Sequence, residues 1–151
     1  MHSNDDLAAL AVELIAAGSH FTRAAYQASG MELSNVSMRV LAALEREPGL
    51  RIGELAAREG IRQPSMSQAV KRLVNDGYVA RRTADDDARA TALTITDAGR
   101  EVLRSYRTAA AEAVVPVFEP LTPEDVATLK RAAELLPELT AELKQREGGR
   151  E

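Results

Sequence analysis

A chain of 151 residues with 45% hydrophobic and only 3% aromatic content is long enough for one core of Leu, Ile, Val, Ala and Met, and it is not disordered. With no cysteine and only two histidines, it excludes disulfide frameworks, thiolate metal sites, cysteine-based redox sensing and a histidine-rich metal centre. The net charge of −4 argues against nucleic acid only if it is spread evenly, and it is not.

Leu7, Leu10, Ala11, Leu14, Ile15, Gly18, Phe21 and Ala25 recur at helical spacing. They predict a helix of about five turns, with Ser3 as its N-cap and Asp5 and Asp6 favouring the first turn. No basic leader precedes it, and no apolar run approaches ~18 residues, so a membrane span is not expected and the protein is expected to be cytoplasmic. After a turn around Gly30, a second helix begins at Ser34, with Leu33 and Met38 at the positions of a hydrophobic staple and Pro48-Gly49 as its stop.

Two short apolar stripes follow. Ile52, Leu55 and Ala56 form one, closed by Gly60; Met66, Ala69, Val70, Leu73 and Val74 form the next, closed by Gly77, with Pro64 in its first turn. The period then changes to two. Residues Tyr78–Arg82 and Ala92–Thr96 read as strands, and the polar, acidic residues Thr83–Thr91 between them predict a hairpin with a long solvated tip.

Thr96 is placed to cap a third long helix that Pro116 is expected to kink or end. Thr122-Pro123-Glu124-Asp125 resembles a capping-box start. The last helix carries Val126, Leu129, Ala133, Leu136, Leu139 and Leu143, with Pro137 expected to bend it and the end of the chain read as a frayed tail.

Helix, short turn, helix and hairpin in that order, within Arg51–Thr96, describe a winged helix-turn-helix. This is the basic part of the chain. From Arg51 to Arg82, the seven cations Arg51, Arg58, Arg62, Lys71, Arg72, Arg81 and Arg82 stand against Glu54, Glu59 and Asp76, a balance of +4. Residues 1–50, 83–100 and 101–151 carry −3, −2 and −3. The polar face of the second short helix displays Gln63, Pro64, Ser65, Ser67, Gln68, Lys71, Arg72 and Asn75. Gln and Ser can approach base edges in a major groove ~12 Å wide, while Lys and Arg can reach phosphates or guanine. By itself the same face fits an ordinary solvated surface.

The ordered set of motifs resembles the MarR (multiple antibiotic resistance regulator) family. The resemblance runs through Gly53-Glu54-Leu55-Ala56, Gln63-Pro64-Ser65-Met66-Ser67, Leu73 to Gly77 and Val79, then Asp87-Ala88-Arg89 and Ile95-Thr96-Asp97-Ala98-Gly99-Arg100. It implies a mainly α (α+β) fold: a winged helix-turn-helix DNA-binding lobe with a helical dimerisation lobe formed by the N- and C-terminal helices. The corresponding division is an N-terminal dimerisation helix over 1–33, a DNA-binding domain over 34–99 (helix pair about 52–76, wing about 78–96), C-terminal dimerisation helices over 97–146 and a flexible tail at 147–151.

The resemblance also implies that Arg89, aimed by Asp87, enters a minor groove beside Arg81 and Arg82. Two departures predict a weaker wing: Ala88 stands where such wings often carry a second arginine, and Asp85, Asp86 and Asp87 stack negative charge at the tip.

The apolar stripes of the first and last helices exceed what a small winged core covers, so a homodimer on a palindromic operator is expected. Similar proteins bind small anionic or phenolic effectors between the lobes, which here points to His20, Phe21, Tyr26, Met31 and Arg39; His20 equally fits an exposed helix residue. No cofactor and no metal are expected. Without a Gly-rich phosphate loop or a Ser–His–Asp order, no enzyme is expected either. The competing function is a winged-helix dimer acting as a protein-interaction module that has weakened or lost DNA binding.

Overall fold

The computed structural model describes residues 3–84 and 87–148, with 83, 84, 87–90, 147 and 148 described as backbone only. Its first helix opens on a capping box: the Ser3 hydroxyl accepts from the Asp6 amide at 3.1 Å, and the Asp6 carboxylate accepts from the Ser3 amide at 3.2 Å. Helix α1 then spans Asn4–Ala28, 25 residues, or about seven turns rather than five. The excess is explained by composition. An Ala-rich run interrupted only by Gly18 contains no proline and no β-branched cluster, so nothing stops it before Gly30 takes the left-handed conformation at φ 67°. No residue of α1 is buried; Leu7, Leu10, Val12, Leu14, Ile15 and Phe21 are exposed.

Helix α2 (Asn35–Arg46) is capped by the Ser34 hydroxyl, which accepts from the Ser37 amide at 3.1 Å. It is followed by α3 (Ile52–Glu59), α4 (Gln63–Asn75), β1 (Val79–Ala84), β2 (Asp87–Ile95), α5 (Asp97–Phe118) and α6 (Pro123–Gly148). The most deeply buried side chains are Val40, Leu41, Leu44, Leu55, Met66, Val70, Leu73, Leu93 and Leu103. They come from α2, α3, α4, β2 and α5, so the core is that of a winged-helix lobe. Each large apolar side chain removed from water there contributes roughly 1.5–3 kcal/mol.

The wing departs from expectation in two ways. Its strands run further, through Ala84 and from Asp87, so the ladder reaches into the polar segment. Its register slips: Thr83 pairs with Thr91 but Ala84 with Asp87, passing over residues 88–90. Polarity signalled a loop, but strand pairing satisfies backbone groups whatever the side chains are. The base of the ribbon also gains a third partner that the sequence did not reveal. The Leu93 amide donates to the Leu50 carbonyl at 2.9 Å, and the Gly49 amide donates to the Leu93 carbonyl at 2.8 Å.

The chain divides into two units, Met1–Glu112 and Ala113–Glu151. Pro116 lies inside α5, which continues to Phe118. Helix α6 starts on the expected box, the Asp125 amide donating to the Thr122 hydroxyl at 3.1 Å. It continues past Pro137 to Gly148, so residues 147 and 148, read as flexible tail, are helical; residues 149–151 lie outside the described part. None of the described α6 side chains is buried. Leu129, Ala132, Leu136, Leu139 and Leu143 alternate at spacings of three and four, the seam pattern of a coiled coil.

Candidate nucleic-acid interface

The two short helices are joined by a turn built on Gly60. Its φ of 60° lets the Ile61 amide reach back to the Ala56 carbonyl at 3.0 Å, closing α3 so that α4 can start three residues later. On α4, Met66, Ala69, Val70 and Leu73 face the core. The opposite arc exposes Gln63, Pro64, Ser65, Gln68, Lys71, Arg72 and Asn75, with Ser67 half-buried. At about 100° per residue, Lys71 and Gln68 fall near the middle of that arc, Gln63 and Ser67 on one flank and Ser65 and Arg72 on the other.

Electrostatics divides the cations of the basic segment. Arg58 pairs with Glu47. Among the described residues, no ion pair engages Arg62, Lys71, Arg72, Arg81 or Arg82, all of them exposed. Arg62 lies outside the contacts expected from the sequence. The structure places it at the cap position of α4, and its signal was present in the segment charge.

Strand pairing separates the two wing arginines. Partners across a ladder share a face and successive residues alternate. Arg81 pairs with Leu93 and so shares the face of Val79 and Ile95, which point into the core; Arg82 pairs with Ala92 on the outer face. The side chains of Asp87 and Arg89 lie outside the described residues.

The wing base is tied to both neighbouring helices by one side chain. The Thr96 hydroxyl donates to the Gly77 carbonyl at 2.7 Å and accepts from the Gly99 amide at 3.0 Å, joining the end of α4 to the start of α5.

A second concavity, an open cleft of about 810 Å³, is lined by residues of α1, α2, their connection and α5. Tyr26, Met31 and Arg39 line it; His20 and Phe21 are not among its lining residues. Arg23 and Tyr106, not anticipated, are. Arg23 lies one turn before Tyr26 on the same stripe, which sequence could have shown. Tyr106 is some eighty residues distant, and no local pattern points to it. Tyr26 and Tyr106 stack with ring centroids 4.5 Å apart and planes at 27°. Burial, with Tyr26 adding to it, raises the Tyr106 pKa. The lining includes two guanidinium groups and no carboxylate.

A helix-turn-helix closed by a two-stranded ribbon, with exposed cations along the second helix and the ribbon, defines a winged helix-turn-helix protein. Comparison with known proteins agrees. A MarR family model matches residues 29–90. An uncharacterised HTH-type transcriptional regulator of Mycobacterium leprae is 32% identical over 114 residues, covering 76% of this chain and 78% of that one. Among solved structures, a Mycobacterium tuberculosis MarR family protein in complex with salicylic acid superposes with a TM-score of 0.64 at 26% identity, over 84% of this chain and 95% of that one. A regulator-like protein of Pseudomonas aeruginosa gives 0.73 at 26% identity, over 93% and 98%. The chain belongs to the MarR family of transcriptional regulators.

Proposed function

We propose that the protein is a homodimeric repressor that covers a palindromic operator and is released when a small anionic aromatic molecule enters the cleft beside Tyr26 and Arg39. The observation that carries DNA binding is the set of exposed cations without acidic partners among the described residues: Arg62, Lys71, Arg72, Arg81 and Arg82. Each such side chain that neutralises a phosphate releases a condensed counterion. The α4 arc supplies base-reading groups in Gln63, Ser65, Ser67 and Gln68, with Pro64 packing beside them, and Arg89, oriented by Asp87, reaches the minor groove from the wing.

Dimerisation through the end helices is supported by the exposed apolar side chains of α1 and by the Leu129–Leu143 seam of α6. A two-fold then places two α4 helices about 34 Å apart, one turn of duplex. The effector reading is supported by the cation-lined aromatic cleft and by the salicylic acid held by the M. tuberculosis relative. The site of action is the cytoplasm, where duplex DNA is available, and catalysis has no part in this reading.

The test is fluorescence anisotropy on a palindrome from the sequence flanking the protein's own gene, at a series of salt concentrations. The expected outcome is nanomolar binding that weakens steeply with salt, and a slope reduced by about one in Lys71→Gln. Indifference to every duplex at low salt, with a stable protein partner recovered instead, would overturn it in favour of an interaction module.

A further inference from the structure

We propose that Arg39 is an anion-operated latch on the recognition helix: its guanidinium holds the end of α3, and an anion entering the cleft draws it away. This rests on the effector reading above and adds how occupancy reaches the DNA-facing helix.

Arg39 faces two ways. From α2 its Nε donates to Glu59 Oε2 at 2.9 Å, and its Nη2 donates to the Glu59 carbonyl oxygen. The same guanidinium is one of two cations lining the cleft, the other being Arg23. Its side chain is 42% exposed, whereas that of Glu59 is 14% exposed, so the arginine is the accessible member of the pair. One planar fork cannot present the same N–H groups to two carboxylates. An aromatic carboxylate in the cleft, with its ring against the Tyr26–Tyr106 stack and Arg23 nearby, offers a partner of the same chemistry as Glu59.

The exchange is not costly. Glu59 also lies 3.8 Å from Arg46 Nη2, so its carboxylate keeps a cation when Arg39 leaves. What is lost is the tie on the last residue of α3. Gly60 and Ile61 form the turn that follows, and α4 begins at Gln63. Arg39 therefore holds both the side chain and the backbone immediately before the turn that sets the α3–α4 angle. Releasing it widens the range of recognition-helix orientations and lowers the population that fits the groove. Linkage requires the converse: DNA binding, which selects the latched form, weakens anion binding by the same factor.

The experiment uses the full-length dimer with salicylate as the probe, measuring salicylate affinity by calorimetry with and without operator duplex, and operator affinity with and without salicylate. In the wild type, each ligand is expected to weaken the other equally. Glu59→Gln removes the ion pair and leaves Arg39 held only by neutral acceptors, so salicylate should bind about fivefold tighter, the factor an exposed ion pair can supply. Operator binding by that variant should be weaker without salicylate and respond less to it. Arg46→Gln takes away the cation that Glu59 keeps, so salicylate should bind it more weakly than it binds the wild type. The Arg39 Nε–H resonance of the wild type supplies a readout that does not depend on a variant folding: it should shift on salicylate addition in step with the loss of operator affinity. Wild-type salicylate affinity and a full response in Glu59→Gln, or an unmoved Arg39 resonance at saturation, overturns the latch and leaves the effector reading standing. A wild type that does not bind salicylate removes the effector reading and the latch with it.

Discussion

A Cβ atom on Gly99 would lie 2.2 Å from the carbonyl oxygen of Tyr78 and 2.8 Å from Cγ1 of Ile95. The first turn of α5 thus approaches the wing base as closely as backbone allows, and the Thr96 amide donates to that same Tyr78 carbonyl at 3.0 Å. The neighbour at 2.2 Å is backbone, which cannot swing aside. Gly99→Ala should therefore cost roughly 2–3 kcal/mol, lowering Tm by about 5–10 °C. Thermal denaturation followed by circular dichroism checks this; an unchanged Tm would mean that the approach is looser than described.

Thr96 joins two helices through one hydroxyl. Thr96→Val keeps the shape but leaves the Gly77 carbonyl and the Gly99 amide without that partner. A loss of about 1–2 kcal/mol is expected, and Thr96→Ser should recover most of it. Urea titration of the three proteins distinguishes this hydrogen-bonding role from simple packing, under which serine would not rescue.

Within the wing the two arginines should differ. Arg82 lies on the outer face of the ribbon and Arg81 on the core-side face. Arg82→Gln should reduce the salt slope of operator binding by about one, and Arg81→Gln by less. Gln68→Ala, in the middle of the α4 arc, should leave the slope alone and alter which base is preferred, as read from a set of single-base operator variants. Equal slope losses for Arg81 and Arg82 would contradict the alternation argument.

Dimer assembly should be separable from the winged core. Leu136→Asp or Leu139→Asp places a charge in the α6 seam, where no side chain contributes to the buried core. Sedimentation velocity should show a monomer with retained helical content, and binding to a full palindrome should fall by 10-fold or more. A dimeric Leu136→Asp variant would move the interface elsewhere.

Burial raises the Tyr106 pKa, so the folded protein favours its neutral form. The sign follows from proton counting. Above the ordinary tyrosine pKa of about 10, the folded state binds more protons than the unfolded one. The contribution is complete below that pH and is lost as pH rises through the folded value. Tyr106→Phe should flatten the alkaline loss of stability, measured as Tm between pH 8 and 11.

The local signals in the sequence determined much of this protein. Ser3, Ser34 and Thr122 cap helices because a hydroxyl three residues before an open amide needs no tertiary help. Gly60 and Pro64 fix the turn and the first turn of α4 through backbone preferences alone, and the 3.6-residue period of Met66, Val70 and Leu73 sets which face is left to solvent.

Tertiary structure decided what depends on partners remote in sequence. Leu50 joins the wing ladder, Arg39 finds Glu59, and Tyr26 finds Tyr106 only once the chain has closed on itself. It also decided what local chemistry leaves open, such as the reach of β1 and β2 into an acidic segment and the face each wing arginine takes. The physical reason is common to all of these. Caps and periodicity act within about four residues along the chain, whereas pairing and charge neutralisation act across space and are set by the fold that local preferences build together.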